Sequence, residues 1–222
     1  MPGFSSLHRI ESPEAFATAF SISRETVDRL KTYEALLRQW QKTINLIAPG
    51  TLDEIWHRHF ADSAQLLRLA PSEAKSWLDL GSGAGFPGLV VAIMLQERGG
   101  PAVTLIESDG RKAAFLREVA RQTGAVVDIF HGRIESQSTH AKVRKVDVIS
   151  ARALAALDRL LELAAPYAGK DTKFLFLKGK EAEREIEEAG RTWVFDCTMV
   201  PSITDEEGRV LVIENLRPRT EG

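Results

Sequence analysis

A single cysteine, Cys197, stands among 222 residues, so the chain cannot close an internal disulfide. No Cys/His spacing resembles a zinc site either, which gives metal chemistry a weak starting point. An excess of either charge is also missing. The 29 Lys+Arg and 31 Asp+Glu leave a formal net charge of −2, with a pI near 6.2. That balance excludes a protein coated in positive charge and confines any nucleic-acid contact to a local patch. No apolar run approaches the ~18 residues needed to cross a bilayer. Met1-Pro2-Gly3-Phe4-Ser5-Ser6 has neither the basic nor the apolar part of a signal peptide, which predicts a cytoplasmic chain without membrane contact. Internal repeats and low-complexity segments are absent as well. With 44% hydrophobic and 27% charged residues, the composition is that of an ordered globular protein. Its length suits one core of roughly 150 residues plus a smaller appendage.

What is present changes character near residue 75, where helical periodicity gives way to short apolar strands. The expected division is therefore 1–74, a helical N-terminal extension, and 75–222, the main domain. Ser12-Pro13-Glu14 reads as a helix start, with Ser as N-cap and Pro in the first helical position. Val27, Leu30, Tyr33, Leu37, Trp40 and Ile44 recur at spacings of three and four and form one apolar stripe. A third helix is expected to open with a capping box at Thr51 and Glu54 and to run through Ile55, His59, Leu66 and Leu67. Strands are predicted at 77–80, 103–106, 126–130, 146–149 and 174–177, separated by helix-like stretches, the signature of a parallel α/β sheet. Asp109 caps the helix after the second strand and Gly124 ends it. The runs 193–200 and 210–213 are joined by a connection too short for a helical crossover, so they form an antiparallel hairpin. Five βα units closed by a hairpin predict the Rossmann-like seven-stranded sheet, last strand antiparallel, of class I methyltransferases. A plain dinucleotide-binding fold would have six parallel strands.

The chemistry concentrates in Trp77-Leu78-Asp79-Leu80-Gly81-Ser82-Gly83-Ala84-Gly85-Phe86-Pro87-Gly88. An apolar strand runs into glycines that let the backbone approach a ligand at the carboxyl edge of the sheet. Two cofactors fit this pattern. Gly83 to Gly88 spells G-x-G-x-x-G, and Glu107 follows at the end of the next strand, as a ribose-binding acid would, so a nicotinamide dinucleotide is one reading. Asp79 to Gly85, however, is D-x-G-x-G-x-G, and a carboxylate beside the loop repels a pyrophosphate while suiting an ammonium and a sulfonium. S-adenosylmethionine carries both cations and no phosphate. In that reading Glu107 accepts from the ribose hydroxyls, and Ile134 and Glu135 are placed for the adenine.

Asp79 to Gly88, Ala92-Ile93, Ile106-Glu107-Ser108 with Lys112 and Phe115-Leu116, Ser150-Ala151-Arg152-Ala153 and Leu177-Lys178-Gly179 together resemble the bacterial RsmG family, also called GidB. Trp40, Asn45-Leu46, Arg58-His59 and Asp62-Ser63 are similar to that family's N-terminal blocks, so the likeness covers most of residues 28–180. The resemblance implies a methyltransferase that uses S-adenosylmethionine to modify N7 of one guanine, position 527, in 16S rRNA. It places cofactor contacts on Gly81, Phe86, Ile134, Glu135 and Arg152. Ile47 and Val90 depart from it, standing where the family usually has Thr and Pro.

Residue chemistry narrows the acceptor independently. Ser150-Ala151-Arg152-Ala153 lacks the Asn/Asp-Pro-Pro-aromatic pattern that holds an exocyclic amine. Carbon methylation needs a cysteine nucleophile, and Cys197 falls in a late strand far from the cleft. A ring nitrogen such as guanine N7 loses no proton on methylation and needs no general base. Catalysis then rests on positioning. Arg152 is the residue on which activity depends most, as a bidentate clamp for the carboxylate of the methionine moiety. Its plain alternative is a surface arginine at a helix start. Asp79, Gly81, Gly83, Gly85, Phe86, Glu107, Ile134, Glu135 and Arg152 form the expected cofactor site. Arg58, His59, Arg111, Lys112 and Lys178 are the expected contacts to RNA phosphates, and the partner is 16S rRNA or the small ribosomal subunit, met by a monomer. His57 and His59 are expected to diverge, one buried and one exposed. The run Glu181 to Glu188 is expected to be the wet face of a helix. The rival functions are a small-molecule methyltransferase and a noncatalytic RNA-binding protein with a degenerate cofactor site.

Overall fold

Apolar runs punctuated by glycine and proline build one sheet of seven strands. The computed structural model describes residues 9–219, so the opening Met1-Pro2-Gly3-Phe4-Ser5-Ser6 lies outside the described residues. The strands are β1 (Ser76–Leu80), β2 (Ala102–Glu107), β3 (Val127–His131), β4 (Val146–Arg152), β5 (Ala168–Lys178), β6 (Trp193–Pro201) and β7 (Arg209–Pro218). Their order is β3-β2-β1-β4-β5-β7-β6. Strands β1 to β5 are parallel, β7 runs antiparallel to β5, and β6 antiparallel to β7. All seven expected strands are present, although β5 begins six residues earlier than its apolar run and β7 continues beyond Ile213. The order reverses between β1 and β4, and a crevice opens there beyond the carboxyl ends of the strands. Leu80 pairs with Ala151, which sets the glycine loop after β1 beside Arg152 at the end of β4.

The helices are α1 (Pro13–Phe20), α2 (Arg24–Trp40), a single turn α3 (Asp62–Ala64), α4 (Gly88–Leu95), α5 (Gly110–Thr123), α6 (Gln137–Lys142), α7 (Leu157–Ala164) and α8 (Ala182–Ala189). Ser12 caps α1 and Ser23 caps α2, each hydroxyl accepting from the backbone N–H three residues on. Asp109 accepts from the N–H groups of Arg111 and Lys112 at the start of α5, which Gly124 ends at φ +68°. α4 is apolar on every side, and seven of its eight residues are buried. It lies between the sheet and the N-terminal helices, so no polar face is required. Apolar side chains of the first seventy residues, among them Phe16, Leu30, Tyr33 and Phe60, share one core cluster with Leu89, Leu105, Phe115 and Leu116. A second cluster covers the other face of the sheet, with Leu78, Leu80, Leu161, Tyr167 and Phe176.

Four local expectations are corrected. The third helix is not continuous: 49–54 is 3-10, 56–61 is π-helical, 62–64 is α and 65–68 is 3-10. Thr51 forms no capping box, since its hydroxyl donates to the Ala48 carbonyl at 2.8 Å. His57 and His59 are both buried, because the π-helical turn is packed on two sides. His57 Nδ1 accepts from the Ile10 N–H at 3.2 Å, while His59 turns toward the glycine loop. Glu185 does not belong to the wet face of α8, since its carboxylate reaches Lys178 and the N-terminus of α7. The departures from the resemblance are absorbed in the interior. Ile47 is buried with its backbone held at both ends by the Gln41 amide, and Val90 is buried in α4. Cys197 is half-buried on β6, where burial pushes its thiol above the ordinary value. Among the described residues, no helix is long and apolar enough to cross a membrane.

Candidate functional site

The glycine loop is held from three directions. Gly81, Gly83 and Gly85 have φ of +63°, +57° and +95°. At Gly85 a side chain would meet the Tyr33 hydroxyl, which donates to the Ala84 carbonyl. Phe86 is buried, its ring stacked 5.4 Å from that of Tyr33 and 4.9 Å from that of His59. From the opposite side Glu107, buried at the end of β2, accepts from the Gly83 N–H through Oε2 and from the Asp109 N–H through Oε1, both at 2.7 Å. Asp79 lies beneath the loop with no exposed surface. Its Oδ1 accepts from the Ser150 hydroxyl at 2.7 Å, and the Trp77 indole N–H donates to Ser150 at 2.8 Å. Oδ2 has no hydrogen-bond partner among the described residues. Burial raises the Asp79 carboxyl to about 6, against the lowering effect of Ser150.

Loop hydrogen bonding separates the two cofactors that the sequence leaves open. The Ser82 N–H donates to the Ile106 carbonyl, the Gly83 N–H to Glu107 and the Gly85 N–H to the Ser82 carbonyl. Those groups are thereby withheld from a pyrophosphate, and the Glu107 carboxylate stands where its charge would repel one. The same arrangement suits S-adenosylmethionine. Each Glu107 oxygen receives one N–H and keeps a lone pair for a ribose hydroxyl. Beside it lies a cavity of about 290 Å³ lined by Gly81, Ile106, Ser108, Ile134, Glu135 and other residues. Ile134 is buried and its carbonyl accepts from the Tyr167 hydroxyl at 2.5 Å. Glu135 pairs with Arg133 at 3.6 Å.

A second cavity, about 530 Å³, shares Leu154 and Ala155 with the first and is lined further by Arg58, Asp62, Arg152 and Lys178. Arg152 is the last residue of β4, not a helix start as its plain alternative supposed. Its Nη1 donates to the Arg58 carbonyl at 3.2 Å and to Asp62 Oδ2 at 3.3 Å, its Nη2 meets His59 Nδ1 at 2.9 Å, and its Cζ lies 4.9 Å from the centroid of the Phe86 ring. Of the five guanidinium N–H groups, the Nε–H and one Nη2–H remain without a partner among the described residues. Asp62 also accepts from Gln65 at 2.8 Å and from Thr204 at 3.0 Å, tying the β6–β7 turn to the same cluster.

The expected RNA contacts separate. Arg58 is half-exposed on the cavity wall, 4.0 Å from Glu54. Arg111 and Lys112 open α5 and line neither cavity. His59 and Lys178 are corrected as phosphate contacts. Burial first, then Arg152 and Arg58, push the His59 imidazole down to about 3, so it is neutral and enclosed. The Lys178 ammonium is buried between Glu185 Oε2 and the Ala155 carbonyl, both at 2.6 Å. Trp56 is buried and hydrogen-bonded to Glu34, and Trp40 is half-buried against Phe115. Tyr33, Ser150 and Glu185 were not singled out from the sequence as site residues. Tyr33 carried only the signal of its apolar stripe and Ser150 only its place beside Arg152.

Known proteins agree with this architecture. A methyltransferase G of Parvibaculum lavamentivorans, named for the ribosomal RNA small subunit, is 51% identical over 208 residues, covering 94% of this chain and 91% of that relative. Its namesake in Rhodospirillum centenum is 52% identical over 204 residues, with 92% and 91% covered. Among solved structures, a SAM dependent methyltransferase from Aquifex aeolicus superposes with a TM-score of 0.54 at 16% identity, covering 81% of this chain and 96% of that one, which supports the fold. The sequence profile of GidB, rRNA small subunit methyltransferase G, matches residues 26–212, and this chain belongs to that family.

Proposed function

We propose that this chain transfers the methyl group of S-adenosylmethionine to N7 of guanine 527 in 16S rRNA, acting as a cytoplasmic monomer. Residues 75–222 form the catalytic unit, and 1–74 is its N-terminal extension, which supplies Arg58 and Asp62 to the RNA-facing wall. The observation that carries the reading is the pair of cavities that meet at Leu154 and Ala155, one beside Glu107 and the other beside Arg152. S-adenosylmethionine supplies, when bound, a sulfonium methyl group that an in-line lone pair displaces. The chain's part is positional. Glu107 holds the ribose hydroxyls, Ile134 and Glu135 border the adenine, and Arg152 directs its free N–H groups at a carboxylate. Asp79 acts from below: its backbone carbonyl accepts from the Ser82 hydroxyl of the loop and its carboxyl from Ser150 of β4, and with no exposed surface it does not touch the ligand, unlike its expected place among the cofactor contacts. Of the carboxylates lining the acceptor cavity, Asp62 and Glu185 are held in ion pairs with Arg152 and Lys178, and Asp205 is turned to its own loop, accepting from the Glu207 N–H at 2.9 Å. The two paired carboxylates are not free to remove a proton, which suits an acceptor nitrogen that has none to lose.

The test is methyl transfer from labelled cofactor to small subunits and to naked 16S RNA from a strain lacking this gene, followed by borohydride and aniline treatment, which cuts at 7-methylguanosine. One enzyme-dependent cut at guanine 527 is expected. Label incorporated without a cut refutes N7. No incorporation into either RNA, with cofactor bound, refutes the rRNA substrate.

A further inference from the structure

Arg152 does not set its own direction. Both nitrogens of the neighbouring His59 ring are engaged: Nδ1 faces Arg152 Nη2 at 2.9 Å, and Nε2 faces the Thr51 hydroxyl at 2.8 Å. A guanidinium can only donate, so Nδ1 must accept and the ring proton must sit on Nε2. Thr51 then accepts from Nε2–H and donates its own O–H to the Ala48 carbonyl at 2.8 Å. The chain of donors therefore runs in one sense, from Arg152 through His59, while Thr51 fixes the tautomer from behind. His59 also stacks on Phe86, with ring planes 22° apart, and the Arg152 Cζ lies over that same Phe86 ring. The imidazole and the guanidinium are thus held by one aromatic surface and one hydrogen bond.

We infer that His59 is a positioning residue, a neutral Nε2-protonated imidazole that aims the Arg152 guanidinium into the cleft, and that Thr51 locks the required tautomer. The inference rests on the proposed role of Arg152 in binding the cofactor. His59 leaves Arg152 with its Nε–H and one Nη2–H for the ligand, while Arg58 and Asp62 occupy Nη1. Losing Thr51 leaves the Nε2–H without its acceptor, so the tautomer is held by Arg152 alone and the Nδ1-protonated form, which opposes a donor with a donor, is easier to reach. The consequence at Arg152 is a weaker form of losing the histidine, although Thr51 touches neither the arginine nor the cleft.

The parent and five variants test this, all full length, with S-adenosylmethionine and S-adenosylhomocysteine as calorimetric probes. His59→Leu is expected to weaken cofactor binding about tenfold, the scale of one hydrogen bond to a charged group. His59→Asn puts an amide oxygen near the Nδ1 position and is expected to recover binding to within about threefold of the parent. Thr51→Val, a change on a half-exposed turn, weakens binding about threefold to fivefold, and this loss disappears in the His59→Asn background, which has no tautomer to lock. The 15N spectrum of the unaltered protein should show His59 with an unprotonated Nδ1 and a protonated Nε2. A protonated Nδ1, or His59→Leu binding like the parent while Arg152→Ala binds weakly, overturns the inference and leaves the function standing. Arg152→Ala with undiminished binding and turnover removes the role of Arg152 itself, and the inference with it.

Discussion

Two buried side chains under the glycine loop set the tolerance of the site at the scale of single residues. At Gly88 an added Cβ would stand 2.5 Å from both the Asp79 Cβ and a Leu105 methyl, and neither belongs to a flexible surface chain. Gly88→Ala is therefore expected to cost about 1–3 kcal/mol, as overpacked cores do. A urea midpoint unchanged from the parent would contradict this packing. Asp79 gives a pH prediction of definite sign. Its carboxyl titrates at about 6 in the folded chain and near 4 when unfolded. Between those values the folded chain keeps a proton that the unfolded chain has lost. The stability linked to this group is fully present below pH ~4 and is lost as pH rises through ~6. A displacement of about two units corresponds to roughly 3 kcal/mol. Urea unfolding of the parent and of Asp79→Asn from pH 4 to 7 should show the parent losing that much relative to the variant. A constant difference across the range would rule out a buried, titrating Asp79.

At the scale of elements, the junction of β5, α7 and α8 depends on one carboxylate. Glu185 Oε2 accepts from the Leu157 N–H at 2.7 Å, at the start of a helix without a side-chain N-cap, and from Lys178 at 2.6 Å. Side-chain exposures of 8% for Lys178 and 17% for Glu185 place the pair where an unpartnered charge is costly. Lys178→Met or Glu185→Gln alone should destabilise by about 3–5 kcal/mol. The double variant, which removes both charges and retains an oxygen for the Leu157 N–H, should cost less than either single change. Additive losses in the double-mutant cycle would refute the coupling. The elements themselves were largely legible in the sequence. Strands announced themselves by short apolar runs ending at Gly81, Glu107 and Arg152, and α1 and α5 by Ser12, Asp109 and Gly124. The segment 49–68 was not legible, because apolar residues three and four apart describe an α-turn and a π-turn equally well. The burial of both His57 and His59 comes from packing against Ile10 on one side and Phe86 on the other, which no local pattern records. In the same way Glu107 could be read as a site acid, but not its grip on the Gly83 N–H, and Lys178 looked like a free cation because Glu185 sat in an apparently solvated run.

The charge of the whole molecule determines how it can hold RNA. A net charge of −2 supplies no general attraction for a polyanion, so affinity must come from the few cations around the clefts. Lys178 and Arg152 are committed to Glu185 and Asp62, leaving the half-exposed Arg58, Arg209 on the same cavity, and Arg133 and Arg159 on the adjoining one. Three to five phosphate contacts is then a physical estimate, and each released counterion contributes a slope of about −0.7 to −0.9 in log affinity against log salt. Raising salt from about 50 to 200 mM should weaken binding to 16S rRNA by roughly 20- to 500-fold. Cofactor affinity, governed by short contacts inside a shielded cavity, should change far less. Filter binding and calorimetry across the same salt series compare the two directly. Arg58→Gln should reduce the RNA slope by about one unit, with cofactor affinity unchanged. If RNA affinity proved as insensitive to salt as cofactor affinity, the cations around the clefts would not be holding phosphates, and the RNA would have to be gripped through its bases or its folded shape.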